Sequence, residues 1–120
     1  MKLTYSRYLR VDPLTSLQKT LTDAHDELQF IVVHQVFELW FRLVIFELES
    51  VRRAMRKDEL GTVVHLFRRI HTIQQAIAQG FEIIETMRPV DFLKFRDILM
   101  PASGFQSCQF REIEFIGGLR

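Results

Sequence analysis

No glycine or proline occurs between Pro13 and Gly61. So few turn-forming residues point to long regular elements, and none interrupts residues 24–56, which read as one long helix. Within it, Phe30 to Phe46 reads FIVVHQVFELWFRLVIF, broken only by His34, Gln35, Glu38 and Arg42. A membrane span needs about 20 residues with few or no charges. This run is shorter and carries Glu38 and Arg42, so it is expected to be a buried helix of a protein outside the membrane. The helix is predicted from Ala24 to Arg56, capped by Asp23. Asp26 and Glu27 lie at the positive end of its dipole, and Arg52, Arg53, Arg56 and Lys57 at the negative end. Glu38 and Arg42 are expected to pair at i,i+4, in a thin polar seam with Glu49.

The rest of the chain follows an all-α pattern. Val63, Phe67, Ile70, Gln74, Ile77, Phe81 and Ile84 keep a three-then-four spacing, which predicts a second helix from Asp58 or Glu59 to Glu85. The short hinge around Lys57 to Gly61 makes the two helices antiparallel neighbours. Pro89 opens a third helix to Met100, with Phe92, Phe95, Arg96 and Leu99 on one face. MPASGFQSCQ reads as a loop, and a fourth helix starts near Gln109. Residues 1–22 read as an arm with a short helical turn, Asp12 capping and Pro13 in first position. Residues 23–120 form the helical portion. Gly and Pro total only 5 and 3 residues, which argues against a many-stranded sandwich or barrel.

Composition narrows the function. Sixteen Lys and Arg against fifteen Asp and Glu leave a net charge of +1. That gives no electrostatic case for nucleic acid or an anionic membrane. One cysteine, Cys108, excludes an internal disulfide and any multi-cysteine metal cluster, fits a cytoplasmic setting, and is read as structural. Eleven Phe suggest flat apolar surfaces. A helix from Ala24 to Arg56 is about 50 Å long, whereas a compact domain of this size has a radius of gyration of about 14 Å. The chain is therefore expected to oligomerise or to be the front portion of a longer protein. The ending IEFIGGLR reads as a helix barely begun.

Few residues suit chemistry. His34 lies amid Phe30, Ile31, Val32, Val33 and Phe37. It is either a core histidine with local partners or a neutral imidazole facing an apolar pocket, with Phe30 at i−4 on the same wall. His25, His65 and His71 form no i,i+4 pair, so no protein-only metal site is expected, and His65 and His71 read as surface residues. Arg96 is either ion-paired with Asp91, Asp97 or Glu112, or a planar fork for a ligand carboxylate. Ala102, Ser103 and Gly104 permit a close backbone approach to a flat ligand. Tyr5 and Tyr8, at i,i+3 on the arm, serve either as a packing hook or as a lid.

The blocks LTYSRYLRVDPLTSLQ, HDELQFIVVHQVFELWFRLVIFELESVR and FRDILMPASGFQSCQFREIEFIGG, in that order, resemble the N-terminal half of the tryptophan 2,3-dioxygenase family. The resemblance implies an all-helical homotetramer holding haem b, which inserts O2 into the indole ring of L-tryptophan to give N-formylkynurenine. It implies that His34 hydrogen-bonds the indole N–H, that Phe30 packs on the substrate, and that Arg96 pairs with its carboxylate. Phe92 and Leu99 would be pocket neighbours, and Ser103 and Gly104 would lie beside the haem. Tyr5 and Tyr8 would reach a neighbouring subunit's pocket. The family's proximal histidine, and the threonine that meets the substrate ammonium, belong to a C-terminal half outside these residues. Arg88 stands before Pro89 where the family usually has a small hydroxyl cap, so a poorer helix start is expected. The alternative to a substrate-side half-enzyme is a non-catalytic helical oligomerisation module, or a haem- or indole-binding remnant.

Overall fold

In the computed structural model, residues 2–99 and 107–117 are described. They form seven helices and no strand. α1 (Tyr5–Leu9) and α2 (Val11–Leu14) make up the arm. α3 (Glu27–Arg56) and α4 (Leu60–Glu85) are the two long elements. α5 (Pro89–Leu93), α6 (Arg96–Leu99) and α7 (Cys108–Ile116) follow. The all-α expectation holds. The radius of gyration is 17.6 Å, and the extents are 53 × 47 × 22 Å. That is well above the roughly 14 Å of a compact chain this long, as the helix lengths implied.

α3 and α4 pack antiparallel through Val44, Val51, Ala54, Val63, Leu66, Ile70 and Ile73, with Trp40, Leu48, Ile77 and Ile113 at the margin. The face of α4 differs from the predicted stripe. Leu66 and Ile73 are buried, whereas Phe67, Gln74 and Phe81 are exposed. The turn between the helices is made by Asp58, not Gly61, which lies inside α4. Asp58 takes φ 55°. The N–H of Glu59 donates to the Ala54 carbonyl at 2.9 Å and that of Asp58 to Met55 at 3.1 Å. This double closure is the Schellman motif, with aspartate in place of the usual glycine. Across the joint Arg69 meets the buried Glu47 carboxylate at 2.7 Å.

α3 starts three residues later than predicted. Asp23 does not cap it, and the capping position falls to Asp26, which makes no side-chain cap bond. The reason lies in Glu27. Its buried carboxylate accepts from the backbone N–H groups of Leu21 and Thr22, both at 2.8 Å, and from the Thr22 hydroxyl at 2.6 Å. Gln35 adds a second tie, accepting from Gln18 and donating to the Leu17 carbonyl. The C-terminal part of the arm thus clasps the first turns of α3. Asp12 and Pro13 lie within α2, whose cap is Arg10 in the left-handed region, so the predicted Asp12 cap is not formed.

The expectation that Phe30 to Phe46 is buried is met toward α4 and α7 and, at Phe30, toward Phe92 and Phe95. Leu28, Val32, Val36, Leu39, Leu43 and Phe46 leave a third apolar stripe exposed, Phe46 by 60%. By length and composition α3 could cross a membrane, and 17% of its most apolar window is buried within the chain. Arg42 is exposed and does not pair with Glu38, whose carboxylate is taken by α7.

Two outcomes follow from this packing. A Cβ at Gly80 would fall inside contact distance of the Phe37 ring, 2.9 Å from Cζ, and Phe37 is buried. Alanine is favoured over glycine in a helix by about 1 kcal/mol, but overpacking costs about 1–3 kcal/mol. Gly80→Ala should therefore lower the thermal midpoint; an increase would contradict the packing. The Thr22 hydroxyl, with the Leu21 and Thr22 N–H groups, holds the Glu27 carboxyl below its ordinary range against the opposing effect of burial. Its contribution is thus present above the unfolded-state glutamate pKa and is lost as pH falls through the lower folded value. Hydrogen-exchange protection of Leu21 and Thr22 should fall on acidification, and Glu27→Gln should remove that dependence.

Candidate functional site

Helical spacing puts Phe30, His34, Phe37 and Phe41 along neighbouring turns of α3. Their rings form a ladder. Phe30 and His34 lie 4.1 Å apart at 32°, His34 and Phe37 5.8 Å apart at 70°, and Phe37 and Phe41 6.4 Å apart. Phe81 joins Phe37 from α4 at 4.8 Å. At the upper end, α5 brings Phe92 to 6.1 Å from Phe30, and Phe95 lies 5.7 Å from Phe30 and 5.4 Å edge-on to Phe92. Such tilted and edge-to-face pairs are the favoured aromatic geometries.

Phe95 is the keystone of this cluster, only 1% exposed. Its inward turn accompanies a break in the predicted third helix. α5 ends at Leu93 and α6 begins at Arg96, with three-residue closures from Lys94 to Asp91 and from Phe95 to Phe92. The ring faces α3, and the chain restarts as a separate helical turn. At the start of α5, Arg88 makes no side-chain cap bond, in keeping with the poorer start expected. It instead holds Asp91 with Nε at 2.7 Å and Nη2 at 3.3 Å. That contact holds the Asp91 carboxyl below its ordinary range and raises the Arg88 guanidinium.

The half-buried His34 has a defined hydrogen bond. Its Nδ1 lies 2.8 Å from the Phe30 carbonyl oxygen. A carbonyl only accepts, so Nδ1 carries the hydrogen, and in the neutral ring Nε2 presents a lone pair. The local-partner reading and the pocket reading are therefore compatible: one nitrogen is satisfied internally and the other is left as an acceptor. A donor-bearing flat ring would match it.

The other expected site residues divide. Phe30, His34 and Phe92 are brought together. Leu99 is half-buried at the end of α6. Arg96 follows Phe95 directly and is exposed. The expected ion pair is not formed among the described residues: Asp91 is engaged by Arg88 and by Lys94 at 3.5 Å. Tyr5 and Tyr8 lie exposed on α1, 76% and 69%. Ser103 and Gly104 lie outside the described residues. His25 and His71 are exposed, and His65 sits 3.4 Å from Arg69. Cys108 is exposed at the start of α7. A separate apolar groove of about 400 Å³ between α3 and α4 is lined by Gln29, Val32, Val36, Phe37, Ala76 and Gly80, among others, and does not include His34 or Phe92.

Two site features were not anticipated. The sequence puts Phe95 on a face shared with Phe92, Arg96 and Leu99, and an aromatic residue within that amphipathic stretch is the available signal of its burial. Glu38 is joined to Ser107 and Gln109 across 69 and 71 residues, a pairing that nothing local marks.

These features define a helical protein with an aromatic wall around one hydrogen-bonding imidazole, suited to a planar, donor-bearing ligand. A family model described as tryptophan 2,3-dioxygenase matches residues 1–120. The chain belongs to that family. It is 46% identical to the tryptophan 2,3-dioxygenase of Nocardioides sp., over 99% of this chain and 47% of that protein. It is 42% identical to that of Bacillus thuringiensis over 98% and 42%, and 46% identical to that of Herpetosiphon aurantiacus over 98% and 46%. The chain thus spans less than half the length of these relatives.

The His34 geometry makes one direct prediction. Nitrogen-15 shifts of the imidazole, recorded at a pH where the ring is neutral, should report the Nδ1–H tautomer. The Nε2–H tautomer, with Nδ1 as acceptor, would contradict the bond to Phe30.

Proposed function

We infer that this chain is the substrate side of a haem-dependent tryptophan 2,3-dioxygenase, the oxidoreductase that inserts O2 into the indole ring of L-tryptophan to give N-formylkynurenine. One observation carries the reading: His34 spends Nδ1 on the Phe30 carbonyl and leaves Nε2 as an acceptor, on an imidazole packed against the Phe30 ring, which Phe92 in turn approaches. An indole is a flat apolar ring with a single N–H donor, and this wall complements both properties.

In the proposed reaction this chain binds and orients. Nε2 of His34 accepts from the indole N–H. Phe30 and Phe92 flank the ring, with Leu99 at its edge. The exposed Arg96 offers a planar fork to the substrate carboxylate. Tyr5 and Tyr8, on an arm latched through Glu27, extend toward a neighbouring subunit's site in a homotetramer. Ser103 and Gly104 would approach the cofactor. Apolar rings exclude water from the reacting ring.

Haem b is the group the family implies, and when bound it supplies the O2 chemistry. The described residues fit one wall of such a site. An apolar wall of aromatic side chains around Phe30 suits the apolar body of a large planar cofactor. Haem iron also needs an axial ligand from protein. His34 is assigned to the substrate, and His25, His65 and His71 lie outside the ring cluster, so that ligand is sought in the remaining half of the family's chain. A cytoplasmic setting and a place in tryptophan catabolism belong to the same proposal.

The exposed stripe on α3, from Leu28 to Phe46, favours a second reading: a helical assembly module without turnover. The two are separated by supplying haemin, L-tryptophan and the C-terminal portion of the Nocardioides relative to the purified chain. N-formylkynurenine, detected by mass spectrometry, is expected. Loss of one hydrogen bond to the substrate is worth about 1–2 kcal/mol, so His34→Ala should lower kcat/KM by about 5- to 30-fold without abolishing turnover. A defined oligomer by light scattering, with no product and no saturable tryptophan binding, would overturn the enzymatic reading in favour of the module.

A further inference from the structure

Glu38 stands one turn after His34 on α3 and is engaged entirely by α7. Its two carboxylate oxygens accept from the Ser107 hydroxyl at 2.8 and 3.0 Å. The Gln109 amide donates to the Glu38 backbone carbonyl at 2.7 Å and reaches the carboxylate at 3.4 Å. Ser107 is itself the N-cap of α7: its oxygen accepts from the Phe110 N–H at 3.1 Å. The hydroxyl therefore gives its hydrogen to Glu38 and its lone pair to the helix start. With Glu38 removed, the hydroxyl has no fixed direction.

The consequence reaches the imidazole through the rings. Phe110 lies 5.7 Å from Phe41, which stacks on Phe37, whose ring meets His34 edge-on. α7 is thus the far end of the ladder whose near end is His34. Glu38 fastens that end by hydrogen bonds to an anion, which are among the stronger kind.

We propose that Glu38 is a positioning residue for His34: by orienting the capping hydroxyl of Ser107 its carboxylate fixes the start of α7, and through Phe110, Phe41 and Phe37 it sets the angle at which the imidazole meets its ligand. The proposal deepens the indole reading and rests on it for the ligand. The joint itself is a property of the free chain.

The test uses the whole 120-residue chain with isotope-labelled histidine. Wild type, Glu38→Gln, Glu38→Ala, Ser107→Ala and the Glu38→Ala/Ser107→Ala double variant are compared. NMR follows the His34 ring, first without ligand and then through a titration with L-tryptophan, while circular dichroism follows thermal unfolding. Without ligand, Glu38→Ala and Ser107→Ala should shift the His34 ring signals alike. Glu38→Gln, whose side-chain carbonyl still accepts from Ser107, should leave them near wild type. In the titration each alanine variant should bind about tenfold more weakly, as expected for a lost charge-assisted bond. The double variant should bind no more weakly than the worse single one, and Glu38→Gln should stay within about threefold of wild type.

Unmoved His34 signals in Glu38→Ala would overturn the proposal, as would unchanged tryptophan affinity beside a lowered melting midpoint, since that split marks a merely structural tie. Fully additive losses would overturn it too. If wild type does not respond to L-tryptophan at all, the indole reading fails, and the ligand-free spectra alone decide whether Glu38 sets the His34 ring.

Discussion

The structure depends on the burial of one helix that is apolar around most of its circumference. α3 has more hydrophobic surface than a single partner can cover, so each side of it recruits something different. α4 covers the side bearing Val44 and Val51. The rings of Phe92 and Phe95 close over Phe30, α7 is fastened at Glu38, and the arm is latched at Glu27. The remaining stripe, from Leu28 to Phe46, is left exposed. Apolar burial contributes roughly 25 cal/mol for each Å² removed from water. Leaving such a face uncovered forgoes that stabilisation, while the length of α3 and α4 accounts for a radius of gyration larger than that of a compact domain.

Polar groups around α3 act as fasteners. Glu27, Glu38 and Glu47 lie along the same helix, and each is committed to a different element: the arm, α7 and α4 respectively. A carboxylate out of water is costly unless its lone pairs are used; the buried Glu27 and Glu47 and the half-buried Glu38 each accept a hydrogen bond or an ion pair from another element. The apolar contacts hold the elements close, while the carboxylates fix their register. His34 sits between two of these fasteners, with its own hydrogen bond to Phe30, so the ring is constrained on both sides.

The long helices were legible because their cause is local: no breaker between Pro13 and Gly61, and a turn where Lys57 to Gly61 gathers charge and glycine. The choice of face on α4 was not. Val63, Ile70 and Ile77 fit a stripe with either Leu66 and Ile73 or Phe67 and Gln74, and spacing alone does not select between them; α3 does. The start of α3 was misjudged because Glu27 is drawn into bonds with Leu21 and Thr22, a tertiary effect that overrides the Asp23 cap. The single third helix failed because burial of Phe95 against Phe30 outweighed helical continuity. Of the site, Phe30 beside His34 was legible from their i,i+4 spacing, whereas Phe92 was tied to them only by the resemblance to the family and not by any local pattern. Glu38 with Ser107 was not legible, since 69 residues separate the partners.

The central claim is that the face of α3 carrying Phe30 and His34 receives an indole. Intermolecular nuclear Overhauser contacts between L-tryptophan and the labelled chain test it most directly. The account predicts contacts from the indole ring protons to the side chains of Phe30, His34 and Phe92. Contacts confined to the α3–α4 groove, at Val36, Ala76 and Gly80, would contradict it.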